Sequence, residues 1–197
     1  MNEKDRRVRR TQKLLGEALI AVTLEKGYKN ITIQDVTERA DIGYRTYFRH
    51  YAGLDELLVD VAQSVLDELY ELLNLPEQAG DLELIPDAAN LIRESGALLF
   101  EYILENQDIF RVLLLERGVR FCLEPVMQKA RKRVETIFDG LAKDSIPVPI
   151  AANHIIAATF ALMRWWLEND MPHPPRQMGA IFANLIVRPT WQALVNE

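Results

Sequence analysis

The stretch ITIQDVTERADIGYRTYFRHYAGLDELL, residues 31–58, decides the architecture. Thr32 stands where an N-cap opens a short helix over Ile33–Ala40, and Asp35 falls near that helix's positive end. Ile33, Val36, Ala40 and Ile42 supply a small apolar support. Asp41-Ile42-Gly43 predicts a tight turn into a third helix that ends near Tyr51. That helix crowds Tyr44, Arg45, Thr46, Tyr47, Arg49 and His50 onto about two turns, an unusual density of donors and aromatics for a surface helix. A helix, a turn and a second short helix of this kind place side chains in the DNA major groove. Arg45 has the fork to grip a guanine edge, and Thr46, Arg49 and His50 suit phosphates.

Upstream, Leu15, Ala18, Leu19 and Val22 make one apolar stripe on a helix predicted over Arg7–Lys26, closed by Gly27. The basic run Lys4, Arg6, Arg7, Arg9, Arg10 and Lys13 reads equally as an arm near phosphates or as a solvated tail. Charge is divided unevenly along the chain. The net charge is −6, yet residues 1–53 carry 11 Lys/Arg against 7 Asp/Glu, and the remainder carries 12 against 22. One end is thus suited to a polyanion that the other end repels.

Downstream, helical periodicity continues: Leu54–Leu73, Asp87–Glu105, Gln107–Glu116, Val119–Ala142, Ile150–Asn169 and Pro175–Val195. Gly118 and Gly140 mark helix ends, and 74–86 and 143–149 read as loops. The expected fold is all-α: a three-helix helix-turn-helix domain over 1–53, joined to a larger helical bundle over 54–197 that dimerises and binds a ligand. The last two helices are the most apolar. Left unpartnered they would expose a large patch, so Ile155, Ala158 and Leu162 are the expected dimer contacts.

The resemblance now follows from the residues. RTQKLLGEALIAVTLEKGY, residues 10–28, followed by the stretch quoted above, is similar to the N-terminal domain of the TetR family of transcriptional regulators. The shared features are Gly27-Tyr28 after the first helix, Thr32 before the second, an aromatic-rich third helix, and acids with leucines opening the fourth. AATFALMRWWLENDMPHPPRQM, residues 157–178, resembles one subgroup of the family's C-terminal domains. The resemblance implies a cytoplasmic homodimeric repressor that binds a double-stranded DNA operator and is released by a small-molecule effector. It places Thr32 at a phosphate, Gln34 at a possible base contact, Tyr44 and Arg45 at exposed reading positions, and Thr46 and His50 against the backbone. Gly43, Tyr47, Phe48 and Arg49 complete the expected DNA-binding set.

The chain departs from the family pattern at four points. Tyr47-Phe48 stands where many members have Leu-Tyr, so the DNA-facing phenol is lost or moved by one residue. Gly43 removes a serine cap, Arg45 occupies a common glycine position, and Leu54 replaces a phosphate-binding lysine. These departures also suit a rival, a protein–protein adaptor or co-activator on the same scaffold. Salt-dependent, sequence-selective DNA binding separates the two.

For a small apolar or aromatic effector, the C-terminal candidates are Phe110, Phe121, His154, Met163, Trp165 and Trp166, with Phe100 and Tyr102 behind them. An aromatic stripe at helical spacing more often builds a core than a ligand site. Trp165 and Trp166, about 100° apart on a helix, cannot face one partner. His154 reads as a satisfied interior histidine. Three histidines and the lone Cys122 suggest no metal site and no internal disulfide. The sequence contains no glycine-rich phosphate loop and no Gly-x-Ser-x-Gly elbow, so neither a cofactor nor an enzyme is expected. No apolar run reaches the roughly 18 residues of a membrane span.

Overall fold

The computed structural model describes residues 3–74, 88–139 and 146–195. Among the described residues every regular element is helical. In chain order these are α1 (Glu3–Lys26), α2 (Ile33–Ala40), α3 (Tyr44–Tyr47), α4 (Leu54–Leu73), α5 (Ala88–Glu105), α6 (Gln107–Leu115), α7 (Leu123–Phe138), α8 (Val148–Glu168), α9 (Pro175–Phe182) and α10 (Arg188–Val195). Of the expected loops over 74–86 and 143–149, residues 75–86 and 143–145 lie outside the described residues, as does the expected helix end at Gly140; the second loop is cut short by a helix that starts at Val148 rather than Ile150.

The chain divides into two compact units: Met1–Val65 with Asp108–Glu124, and Leu66–Gln107 with Pro125–Glu197. In the first, the apolar stripe of α1 is buried as Leu15, Ala18, Leu19 and Val22, and α1 packs on α2. Gly27 ends α1 at φ 77, a conformation that side chains resist. The basic run does not form a separate arm, because α1 begins at Glu3 and includes it, with Thr11 donating to the Arg7 carbonyl at 3.0 Å. The fourth helix is tied in by two tyrosines, the half-buried Tyr28 and the buried Tyr51. Tyr28 donates to Asp55 at 2.6 Å, and Tyr51 donates to Asp60 at 2.5 Å.

In the second unit, α5 and α9 cross at two glycines. A Cβ built on Gly179 would lie 2.3 Å from the Ala97 backbone nitrogen, and one on Gly96 would lie 3.0 Å from the Gly179 Cα. Beside that crossing, the fully buried Trp166 meets Phe100 edge-on at 5.1 Å and donates its indole N–H to the His173 carbonyl at 3.0 Å. A second apolar cluster gathers Ile137, Phe138, Ala151, Ile155, Ile186 and Leu194. Lys129 pairs with Asp67, and Tyr102 donates to Glu68 at 2.7 Å.

Two expected helices are interrupted. The segment expected as Val119–Ala142 starts with a 3-10 turn, Arg120–Cys122, behind Gly118 at φ 104. Pro125 then sits in the first turn of α7, where its missing N–H would have no helical partner in any case. The run Pro175–Val195 is helical but underwound at Ala183–Val187, a π turn between α9 and α10. Each residue turns a helix by about 100°, so the extra residue in that turn rotates the faces downstream of it.

Candidate nucleic-acid interface and ligand cavity

α2 opens with a reciprocal cap. The Thr32 side-chain oxygen accepts from the Asp35 N–H at 3.2 Å, and Asp35 accepts from the Thr32 N–H at 2.8 Å and from its hydroxyl at 2.7 Å. The Lys26 ammonium, 2.5 Å away, and then the Thr32 hydrogen bonds lower the Asp35 carboxyl to about 2. The cap is therefore ionised throughout the neutral range. At the other end Asp41, at φ 53, ends the helix and donates its N–H to the Glu38 carbonyl at 3.3 Å. This is the left-handed position that Asp and Asn tolerate best after glycine.

α3 is shorter than expected, four residues rather than two full turns. Its path continues through tighter bonds, Arg49 N–H to the Thr46 carbonyl at 3.2 Å and His50 N–H to the Tyr47 carbonyl at 2.9 Å. Gly43 precedes it with no side-chain cap bond. Between α2 and α3 lies an open concavity of about 730 Å³ that includes Thr32, Gln34, Glu38, Asp41, Gly43 and Tyr44.

Of the residues expected to touch DNA, Thr32, Gln34, Gly43, Tyr44, Arg45, Phe48 and Arg49 are exposed, while Thr46 and His50 are half-buried. Tyr47 is not on this face. It is 0% exposed, so it belongs to the core and is removed from the contact set. Burial, and then the charge of Glu56, raises its phenol to about 12. Phe48 points outward instead and meets Tyr44 edge-on at 5.0 Å. The exposed ring at position 48 thus has no hydroxyl, and the accessible phenol on this helix is that of Tyr44. Among the described residues neither Arg45 nor Arg49 is held in an ion pair, whereas Arg39 is tied to Glu25 at 2.8 Å.

The second unit contains a cavity of about 150 Å³. α5 contributes Leu91, Ile92, Ser95 and Leu99, α7 contributes Val134, Ile137 and Phe138, and Ile155, Phe182 and Trp191 close it. Among the described lining residues, Ser95, 8% exposed, alone has a side-chain hydroxyl; the others are apolar or aromatic.

None of the six expected effector residues lines this cavity. Phe110 and Phe121 belong to the first unit, where Phe121 lies 6.4 Å from the Tyr28 ring. His154 is exposed rather than interior. Trp166 and Met163 are core, and Trp165 faces outward, stacked on His173 at 6.3 Å. Ile155 also has to be reassigned. It is 6% exposed and lines the cavity, so it packs within its own subunit and not at a dimer contact. Ala158 and Leu162 are half-buried against the same cluster. On these helices it is Ile150 and Leu185 that are exposed, at 62% and 68%. Glycines inside helices, Gly96 and Gly179, were the available signal for the close packing beside the cavity.

Two short helices joined by a turn, with a cationic and aromatic exposed face, define a helix-turn-helix protein. Residues 94–188 match the family model TetR_C_8, described as the transcriptional regulator C-terminal region. Over those residues the chain is similar to the TetR family of transcriptional regulators. It is 28% identical over 184 residues to YxbF of Bacillus subtilis (strain 168), an HTH-type transcriptional regulator, covering 92% of this chain and 46% of YxbF. It is 29% identical over 117 residues to an HTH-type regulator of Haemophilus influenzae, covering 58% of this chain and 51% of that protein. The chain thus spans about half the length of the curated relatives it matches.

Two solved structures share the fold. NalD of Pseudomonas aeruginosa, the secondary repressor of the MexAB-OprM multidrug efflux pump, superposes with a TM-score of 0.67 at 16% identity, covering 95% of this chain and 98% of NalD. FadR of Bacillus subtilis, solved with stearoyl-CoA, gives 0.66 at 16% identity, covering 89% and 97%. Among the described residues no helix is long and apolar enough to cross a membrane.

Proposed function

We propose that the chain is a homodimeric, sequence-specific DNA-binding regulator that represses its target and is released by a small apolar effector. The carrying observation is the exposed α2–α3 face. Arg45 and Arg49 are exposed there and, among the described residues, stand in no ion pair, near the exposed Tyr44–Phe48 pair and the capped start of α2. Arginines free of carboxylates are available to phosphates or a guanine edge, and an exposed phenyl ring suits a thymine methyl.

The cavity supports the effector. Its lining is almost wholly hydrocarbon, and its volume of about 150 Å³ lies below the several hundred Å³ of drug-sized sites. That volume suits a ligand of about one ring. A long-chain acyl-CoA such as the ligand of the FadR structure is far larger. Self-association is supported by exposed apolar residues on the last helices, Ile150, Trp165 and Leu185. In a dimer the two α3 helices would meet successive major grooves, about 34–36 Å apart. An effector would act by favouring a population in which that spacing is lost.

The test is selection of bound duplexes from a random library, then fluorescence anisotropy on the selected and scrambled duplexes at two salt concentrations. Selective binding that weakens with salt supports the regulator. Equal binding to both duplexes refutes it and leaves the adaptor reading in its place.

A further inference from the structure

Gln34 lies on the exposed side of α2, within the concavity that it shares with Tyr44. Its amide nitrogen donates to a Glu38 carboxylate oxygen at 2.7 Å, one helical turn on. In most structures the two ends of a glutamine amide are assigned by choice. Here chemistry makes the assignment, because an ionised carboxylate only accepts and therefore takes the NH2 end. Among the described residues Glu38 has no salt-bridge partner, and its side chain pairs with Gln34 alone. Glu38 places a carboxylate beside the surface that would meet phosphates, which weakens DNA attraction. Its evident effect is on Gln34.

We infer that Gln34 is a base-specificity residue that selects adenine in the major groove, with Glu38 as the positioning residue that fixes which end of its amide faces the base. This rests on the regulator reading above. An amide nitrogen carries two hydrogens. Glu38 takes one, leaving one N–H donor and the carbonyl acceptor side by side. Adenine presents the complement, an N7 acceptor beside an N6 donor, and a glutamine amide meets both at once. Guanine offers two acceptors on that edge, so the amide carbonyl would face an acceptor. Release of the amide from Glu38 lets it rotate and accept either pattern.

The experiment compares wild type, Gln34→Ala and Glu38→Gln on duplexes selected by wild type. Each position is changed to all four bases, with helical content checked by circular dichroism. Wild type should prefer adenine by about tenfold at one position per half-site. Gln34→Ala should lose that preference and keep the rest of the profile. Glu38→Gln should lower the same preference while binding all duplexes more tightly, since a carboxylate has left the DNA face. Affinity and selectivity moving in opposite directions is a result that a merely structural role would not give. An unchanged base profile in either variant overturns the inference alone. A wild type that selects no duplex overturns the regulator reading with it.

Discussion

Replacing Gly179 with alanine tests whether the close α5–α9 crossing holds the second unit together. The new Cβ would lie 2.3 Å from the Ala97 nitrogen and 2.8 Å from the Ala97 Cα, against 3.4–4 Å for ordinary contact. The obstructing atoms are backbone, so no rotamer relieves them, and the helices must part by about 1 Å. A radial gap of that size forfeits a quarter to a half of each van der Waals contact along the seam. Overpacking of this kind costs about 1–3 kcal/mol, and a backbone clash belongs at the upper end. Alanine's helix propensity returns about 1 kcal/mol, leaving a net loss of about 2 kcal/mol. For a chain of this size that lowers Tm by about 4–8 °C. Urea unfolding followed by circular dichroism measures it, with Gly53→Ala as control. A Cβ at Gly53 meets nothing within 4 Å, so that variant should lose clearly less stability than Gly179→Ala, only what exchanging glycine for alanine costs at a helix start. If Gly179→Ala proves as stable as wild type, the crossing is not rigid and the reasoning fails.

Leu185→Asp should leave the helical content intact and shift sedimentation from dimer to monomer, because Leu185 is 68% exposed. Ile155→Asp should instead unfold the second unit, since a carboxylate would enter its apolar cluster; a folded monomer there would return Ile155 to the interface. Cys122 is fully buried, and burial raises its thiol to about 11. Native protein should therefore react with a disulfide reagent at the rate of unfolding, and rapid labelling at neutral pH would contradict that placement. Burial, reinforced at three of them by acceptor carboxylates, raises Tyr28, Tyr51 and Tyr102 and brings Tyr47 and Tyr70 to about 12. A raised folded value gives stability that is whole below the unfolded value of about 10 and is lost as pH climbs through the folded one. Tyrosinate absorbance should thus rise together with helix loss, toward pH 12. Ionisation of these five near pH 10 with the helices intact would refute it.

The parts of the fold legible in the sequence are those governed by local chemistry. Thr32 and Asp35, three residues apart, mark a helix start in any context, because the bonds they form are to each other's backbone. Gly27 and Gly118 mark breaks because few other residues occupy positive φ without strain. Periodicity separates apolar from polar faces, and α1 follows its stripe.

What was not legible is the choice between two equally apolar directions. Tyr47 and Phe48 are adjacent aromatics; the sequence makes Tyr47, with Tyr51, the first candidate for the core, yet the family pattern also puts Tyr47 among the DNA contacts, and composition does not choose between the two roles. The short α3 turns Tyr47 into the core and leaves Phe48 outside, so the residue with the hydroxyl is the one withdrawn from the exposed face. On α8 the ambiguity is wider, because the helix is apolar on more than one side. Ile150 is exposed and Ile155 is buried, although the two side chains are identical. A cavity is harder still to foresee, since it is defined by what its neighbours fail to fill. Leu99, Phe138 and Trp191 read as ordinary core, and only the helix crossing at Gly96 and Gly179 fixes the packing beside the space they leave. The aromatics that drew attention in the sequence, Trp166 and Phe110, are buried elsewhere, although side chains of the same size, Phe138 and Trp191, line the cavity. A ligand site in such a bundle is therefore better sought beside helical glycines than along aromatic stripes.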